Sequence, residues 1–118
     1  MIGRNVSIYF TLGALLERPI RARAEIELYP ADVSGKTTGY KSGVRPNHFV
    51  AELGHTVIGT IEFEGREWLQ VGERSTALVT FLHYEPLAQL LRPGVRWDIR
   101  EGSRVVGKGK ILEIIEST

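Results

Sequence analysis

From Ala22 to Tyr29 the chain alternates without a break. Ala22, Ala24, Ile26 and Leu28 are apolar, while Arg23, Glu25, Glu27 and Tyr29 carry charges or a polar tip. A period of two puts successive side chains on opposite faces of an extended chain, so this segment has one face for a core and one for water. Pro30 ends it, because proline donates no N–H to a ladder. The same period returns where Val57, Gly59, Ile61 and Phe63 alternate with Ile58, Thr60, Glu62 and Glu64. It returns again where Val95, Trp97 and Ile99 alternate with Arg96, Asp98 and Arg100. Thr76 to Tyr84 is rich in β-branched and aromatic residues and reads as a central strand. Val44 to Leu53 is a weaker strand, and Arg104 to Ile115 closes the chain as a long one. Gly107 and Gly109 fall on one face of that last strand, which points to close backbone approach, a bulge or a bend.

The intervening segments read as connectors. Ala31 to Ser42 is polar, Gly65 marks a turn with Trp68 and Leu69 packing nearby, and Glu101-Gly102-Ser103 reads as a hairpin turn. Glu85 to Arg92, with Pro86 and Pro93 at its bounds, forms one helical turn or an irregular loop. Short strands, Gly-containing turns and no long helix predict an all-β barrel or sandwich. At 118 residues the chain makes one domain with a real core. No apolar run of about 18 residues is present, so no membrane span is expected. The absence of Cys excludes disulfides and thiolate metal sites and agrees with a cytoplasmic protein. A formal net charge of +1 removes any global cationic field, so contact with nucleic acid would need a local patch. Val6 to Leu16 is apolar after Arg4, but Glu17-Arg18-Pro19 comes after it where a leader would have a small-residue cleavage site. We read residues 1–20 as an N-terminal extension, a packed strand or turn, ahead of a barrel over residues 21–118.

The tripeptide Gly35-Lys36-Thr37 is the end of a phosphate-binding loop in many nucleotide hydrolases. Here the first glycine of that motif is replaced by Pro30, which cannot wrap a phosphate. Thr38-Gly39-Tyr40-Lys41-Ser42-Gly43 makes a poor helix start after it. A surface turn is the better reading.

Two longer blocks carry a resemblance. One is GKTTGYKSGVRPN, Gly35 to Asn47; the other is IREGSRVVGKG, Ile99 to Gly109. Both resemble the C-terminal third domain of elongation factor Tu, which carries G-[RK]-x-T-x-[FY]-x-x-G-x-R-P early and I-R-E-G-x-R-x-V-G-x-G near its end. The likeness runs from about Arg23 to Ile115 in matching order and spacing, and small free-standing proteins resembling only this domain exist. It implies a six-stranded antiparallel β-barrel of the elongation factor C-terminal domain type, without the GTPase domain and so without GTP hydrolysis. It also implies partners. In the full-length factor this domain touches the backbone of the tRNA T-stem, packs on the GTPase domain and meets the nucleotide-exchange factor. The implied contact positions are Lys36, Thr37, Glu101 and Gly102, with Asn47 nearby. Thr37 stands where the factor commonly has His, Asn47 where it commonly has Gln, and Glu85 where a basic residue or His is common.

The candidate set for binding RNA or a partner is therefore Lys36, Thr37, Thr38, Arg45, Asn47, Arg100, Glu101, Gly102, Arg104 and Lys108. Lysine, arginine and hydroxyl groups suit phosphate and ribose oxygens, which is backbone recognition without base reading. Each has a scaffold reading too. Arg45 pairs with a carboxylate or backbone carbonyls, Arg100 and Arg104 form a local charge cluster with Glu101, and Lys108 and Lys110 guard a strand edge. No catalytic set stands out, and no cofactor is called for. His48, His55 and His83 lack metal-ligand spacing, His83 reading as a core or rim histidine; Trp68 and Trp97 read as core. The sequence thus points to a non-catalytic binding module whose partner is a translation-factor-associated protein or a tRNA-like RNA. The alternative is a self-associating structural barrel, a homo-oligomer.

Overall fold

The computed structural model describes residues 19–82 and 84–116. The N-terminal apolar segment and His83 lie outside the described residues. Strand β1, Ile20–Leu28, already includes Ile20, so the barrel starts one residue before the boundary drawn from sequence. A single helical turn, α1 (Ala31–Ser34), comes next, then β2 (Tyr40–Lys41), β3 (Asn47–Val50), β4 (His55–Phe63), β5 (Trp68–Leu69) and β6 (Arg74–Phe81). Helix α2 (Glu85–Leu90), β7 (Arg96–Glu101) and β8 (Arg104–Glu116) complete the chain.

Six of these strands close into a barrel in the order β1-β6-β4-β3-β7-β8, and every pairing is antiparallel. Closure leaves no free edge. The alternation seen in the sequence decides the inside. Ala22, Ala24, Ile26 and Leu28 of β1 are fully buried, as are Val79 and Phe81 of β6 and Ile99 of β7. Register shifts between β1 and β8, and between β7 and β8, are the bulges that bend the long strands around the barrel.

The connectors differ from expectation in two places. The polar stretch after Pro30 holds α1, and β2 within it pairs with β5 as a separate two-stranded sheet. The segment after Tyr84 takes the helical of its two expected forms, a six-residue helix whose buried residue is Leu87. Trp68 is 47% exposed rather than core, because Leu69 is the β5 residue that turns inward.

Trp97 does fill the core, and it brings a polar network with it. Its indole N–H donates to Nδ1 of the fully buried His48 at 2.8 Å. The opposite ring nitrogen, Nε2, lies 2.9 Å from the Gly59 carbonyl oxygen. An N–H donor at Nδ1 fixes that atom as an acceptor, so Nε2 carries the proton and donates to Gly59. Phe81 meets both rings edge to face, with centroids 5.2 Å from His48 and 5.8 Å from Trp97. The rings fit because two strands carry no side chain beside them. A Cβ at Gly109 would collide with the indole, and one at Gly59 would press on Phe81 and His48. The close approach expected for Gly109 is thus a seat for Trp97. Gly107 meets the Glu27 carbonyl across the ladder.

This network sets a pH dependence. Burial drives the His48 pKa from 6.5 down to about 4, against the hydrogen bond to Gly59, which opposes the shift. Between those values the unfolded chain holds a proton that the folded chain refuses, so stability rises with pH across the window. The contribution is complete above pH 6.5 and is lost as the pH falls towards 4. At ~1.4 kcal/mol per unit, this histidine alone removes about 2 kcal/mol between neutral pH and about pH 5. His48→Gln keeps an acceptor for Trp97 and a donor for Gly59 but does not titrate. Urea unfolding of both proteins at the two pH values will show the loss in the wild type and not in His48→Gln; parallel pH slopes would contradict the assignment.

Candidate functional site

The two sequence blocks meet at the end of the barrel where β1 finishes at Leu28 and β7 turns into β8. Helix α1 ends at Gly35, whose φ of 80° is the left-handed cap that releases the chain. Ser34 then accepts a hydrogen bond from the Lys36 N–H through its hydroxyl at 3.1 Å, which turns the Lys36 side chain back over the barrel. Gly39 passes so close to the Leu69 carbonyl that no Cβ would fit. The glycines of the GKTTG segment are thereby explained by a helix cap and a tight crossing. Beyond Thr37 the chain runs into the extended β2 rather than a helix, so no helix N-terminus faces Lys36.

Glu101 is the centre of the cluster. Its Oε2 lies 3.0 Å from Lys36 Nζ and accepts a 2.9 Å hydrogen bond from the Tyr40 hydroxyl. Its Oε1 accepts from Arg104 at 3.1 Å across the hairpin, whose tip is Gly102 with φ of 63°. Lys36 Nζ also stands 4.5 Å from the centre of the Tyr40 ring and reaches Thr38 Oγ1 at 3.5 Å. The lysine side chain is only 8% exposed. Burial raises the Glu101 carboxyl, but the donors from Lys36, Tyr40 and Arg104 outweigh it and hold the group below the usual range. Burial, reinforced by the hydrogen bond to Glu101, raises the Tyr40 hydroxyl well above its ordinary value, so it stays a donor.

The remaining candidates fall elsewhere. Thr37 is exposed at the loop surface. Asn47 and Arg100 are partners across β3 and β7 on the outer wall. There Arg100 stacks 3.9 Å over the Phe49 ring and pairs with Asp98 at 3.6 Å, its Nε buried with no hydrogen bond among the described residues. Lys108 sits further along β8 and pairs with Glu27 at 3.7 Å. Arg45 makes no ion pair or hydrogen bond among the described residues, contrary to the pairing expected for it. It lines an outer groove of about 140 Å³ with Ile58, Thr60, Thr80 and Leu82. Ile58 is 54% and Leu82 69% exposed, large values for such side chains. Tyr84 is exposed too, its ring beside His55.

Sequence reasoning misses Tyr40 as a member of the cluster, although the aromatic residue of the first block marks the position. It misses the His48 network altogether, since a histidine in a weak strand gives no sign of its partner. Among the described residues no group of three or more His, Cys, Asp or Glu is placed to hold a metal ion, and no helix is long and apolar enough to cross a membrane. No protein-family model matches this chain.

The cluster makes Lys36 a structural cation. Glu101→Gln leaves its ammonium buried without a full negative partner and should cost about 3 kcal/mol. Lys36→Met removes the charge and keeps the stem, so it should cost less than about 1 kcal/mol. Urea unfolding at neutral pH measures both. Equal stability of wild type and Glu101→Gln would show that the pair contributes nothing to the fold.

Proposed function

We propose that this chain is a non-catalytic β-barrel binding module related to the third domain of elongation factor Tu. Its partner is a protein of the kind that meets that factor, in the cytoplasm, rather than a tRNA-like RNA. The observation that carries this reading is the state of the cations at the implied RNA contact. Lys36 and Arg104 are both held by Glu101, and Arg100 and Lys108 face Asp98 and Glu27, so of the candidate cations Arg45 alone has no partner among the described residues. Phosphate recognition needs cations free to release counterions, and here a carboxylate already stands at the centre. The substitutions at Thr37, Asn47 and Glu85 support the same conclusion.

The apolar groove gives a protein partner something to bind. Ile58 and Leu82 flank it, Arg45 offers an unspent charge at its rim, and Tyr84 adds an exposed aromatic ring. Interfaces favour aromatic and arginine side chains as anchors. The exposed apolar pair also favours the second reading, self-association, since such surface on a lone barrel gains by burial.

Pull-down from a cell lysate, with and without ribonuclease, separates these. The expected result is a protein that survives digestion and is lost when Leu82→Asp or Ile58→Asp replaces the wild type. Disappearance with ribonuclease would overturn the protein reading in favour of RNA. A concentration-dependent mass in analytical ultracentrifugation, abolished by Leu82→Asp, would transfer the groove to a second copy of the chain.

A further inference from the structure

We propose that the outer wall of the barrel holds a second site, for a nucleoside monophosphate: a dianionic phosphate ester joined to a flat ring. Arg74, Arg96 and Lys110 would hold the phosphate, and Tyr29 and Phe49 the ring. None of these residues belongs to the Glu101 cluster, and the proposal is independent of the protein-binding reading.

The site comes from strand register. Phe49 of β3, Asp98 of β7, Lys108 of β8, Glu27 of β1 and Arg74 of β6 are successive partners across five strands. Two residues along, Arg96, Lys110 and Glu25 form a parallel row. All of these side chains point outward, because the buried residues of the same strands occupy the alternate positions. Between the rows lies a pocket of about 220 Å³ lined by Glu25, Glu27, Arg74, Arg96, Lys108 and Lys110. Four cations face two carboxylates there.

Apart from Arg45, every cation whose side chain has no partner among the described residues lines this pocket. Arg23, Lys36, Lys41, Arg66, Arg100 and Arg104 each meet a carboxylate. The side chains of Arg74, Arg96 and Lys110 make no ion pair or hydrogen bond with any described residue. Carboxylates are not lacking, since Glu25 stands directly across the ladder from Lys110, yet the two do not pair. Two guanidinium forks and an ammonium around an open volume are the donor set that phosphate oxygens require. Glu25, and Glu27 beyond its contact with Lys108, can accept hydrogen bonds from ribose hydroxyls.

A second hollow of about 230 Å³ adjoins the first and shares Arg96 and Lys108 with it. Its other walls include Tyr29, Phe49 and Asp98, with the backbone side of the inward-facing Trp97 beneath them. Burial, with Asp98 and Glu27 nearby, raises the Tyr29 hydroxyl, so it remains a neutral donor. One face of Phe49 carries Arg100, which fixes the ring in place. Small-molecule sites span about 300–1,000 Å³, and neither hollow reaches that alone, so the ligand would lie across both, over the Arg96 and Lys108 side chains that they share. A charged half beside an aromatic half matches a phosphate beside a base.

The test is a calorimetric titration of the full chain with adenosine monophosphate at low salt. The expected result is saturable binding with Kd below about 1 mM, with adenosine and inorganic phosphate each at least about tenfold weaker. Arg96→Gln and Lys110→Gln should each weaken binding about tenfold with an unchanged circular dichroism spectrum, while Arg92→Gln, outside both hollows, should not. No binding at about 10 mM nucleotide would overturn the proposal. So would an affinity unchanged in Arg96→Gln and Lys110→Gln, or inorganic phosphate binding as tightly as the nucleotide.

Discussion

The indole N–H of Trp97 is buried at the centre of an apolar barrel, and its acceptor is Nδ1 of His48. A donor left there without a partner would cost several times what the bond itself contributes. The consequences spread through the strands. His48 must be neutral and carry its proton on Nε2, which requires the Gly59 carbonyl to face inward at 2.9 Å. Gly59 and Gly109 must lack side chains so that Phe81 and Trp97 can reach the histidine. One hydrogen-bonded pair therefore ties together β3, β4, β6, β7 and β8, and β1, between β6 and β8, closes the ring.

Barrel closure explains why the Glu101 cluster sits where it does. Antiparallel pairing of β1 with β8, and of β8 with β7, brings the end of β1 and the β7–β8 hairpin to one rim. The loop after β1 then passes over that rim, and its lysine meets the hairpin's glutamate. The GKT tripeptide thus takes its geometry from a helix cap and a buried ion pair. Its lysine is oriented by Glu101 instead of by a phosphate.

Period-two alternation makes β1, β4 and β7 legible, because one buried face and one wet face leave a direct mark on composition. The β-branched run makes β6 legible, although the strand stops at Phe81 and Leu82 is already exposed. The short β2 and β5 leave no such mark: two residues are too few for a period, and their pairing depends on the Gly39 crossing. Trp68 departs from its expected place because aromatic character alone does not say which way a residue of a two-residue strand faces. At the site, both blocks are visible as motifs, and Glu101 and Lys36 each stand out in them. Their pairing is not visible, since nothing local in a sequence records which distant charges the fold brings to 3.0 Å. The unpaired Arg74, Arg96 and Lys110 are hidden for the same reason.

The central claim is that Lys36 and Arg104, at the implied RNA contact, are held by Glu101 within the chain. Its most direct test is the affinity of the protein for deacylated tRNA measured over rising salt. The account predicts only non-specific binding, with Kd no tighter than about 10⁻⁶ M at physiological salt, and no loss specific to Lys36→Met. Tight binding whose salt slope falls by about one phosphate contact in Lys36→Met would show that Lys36 leaves Glu101 for RNA, and would contradict the account.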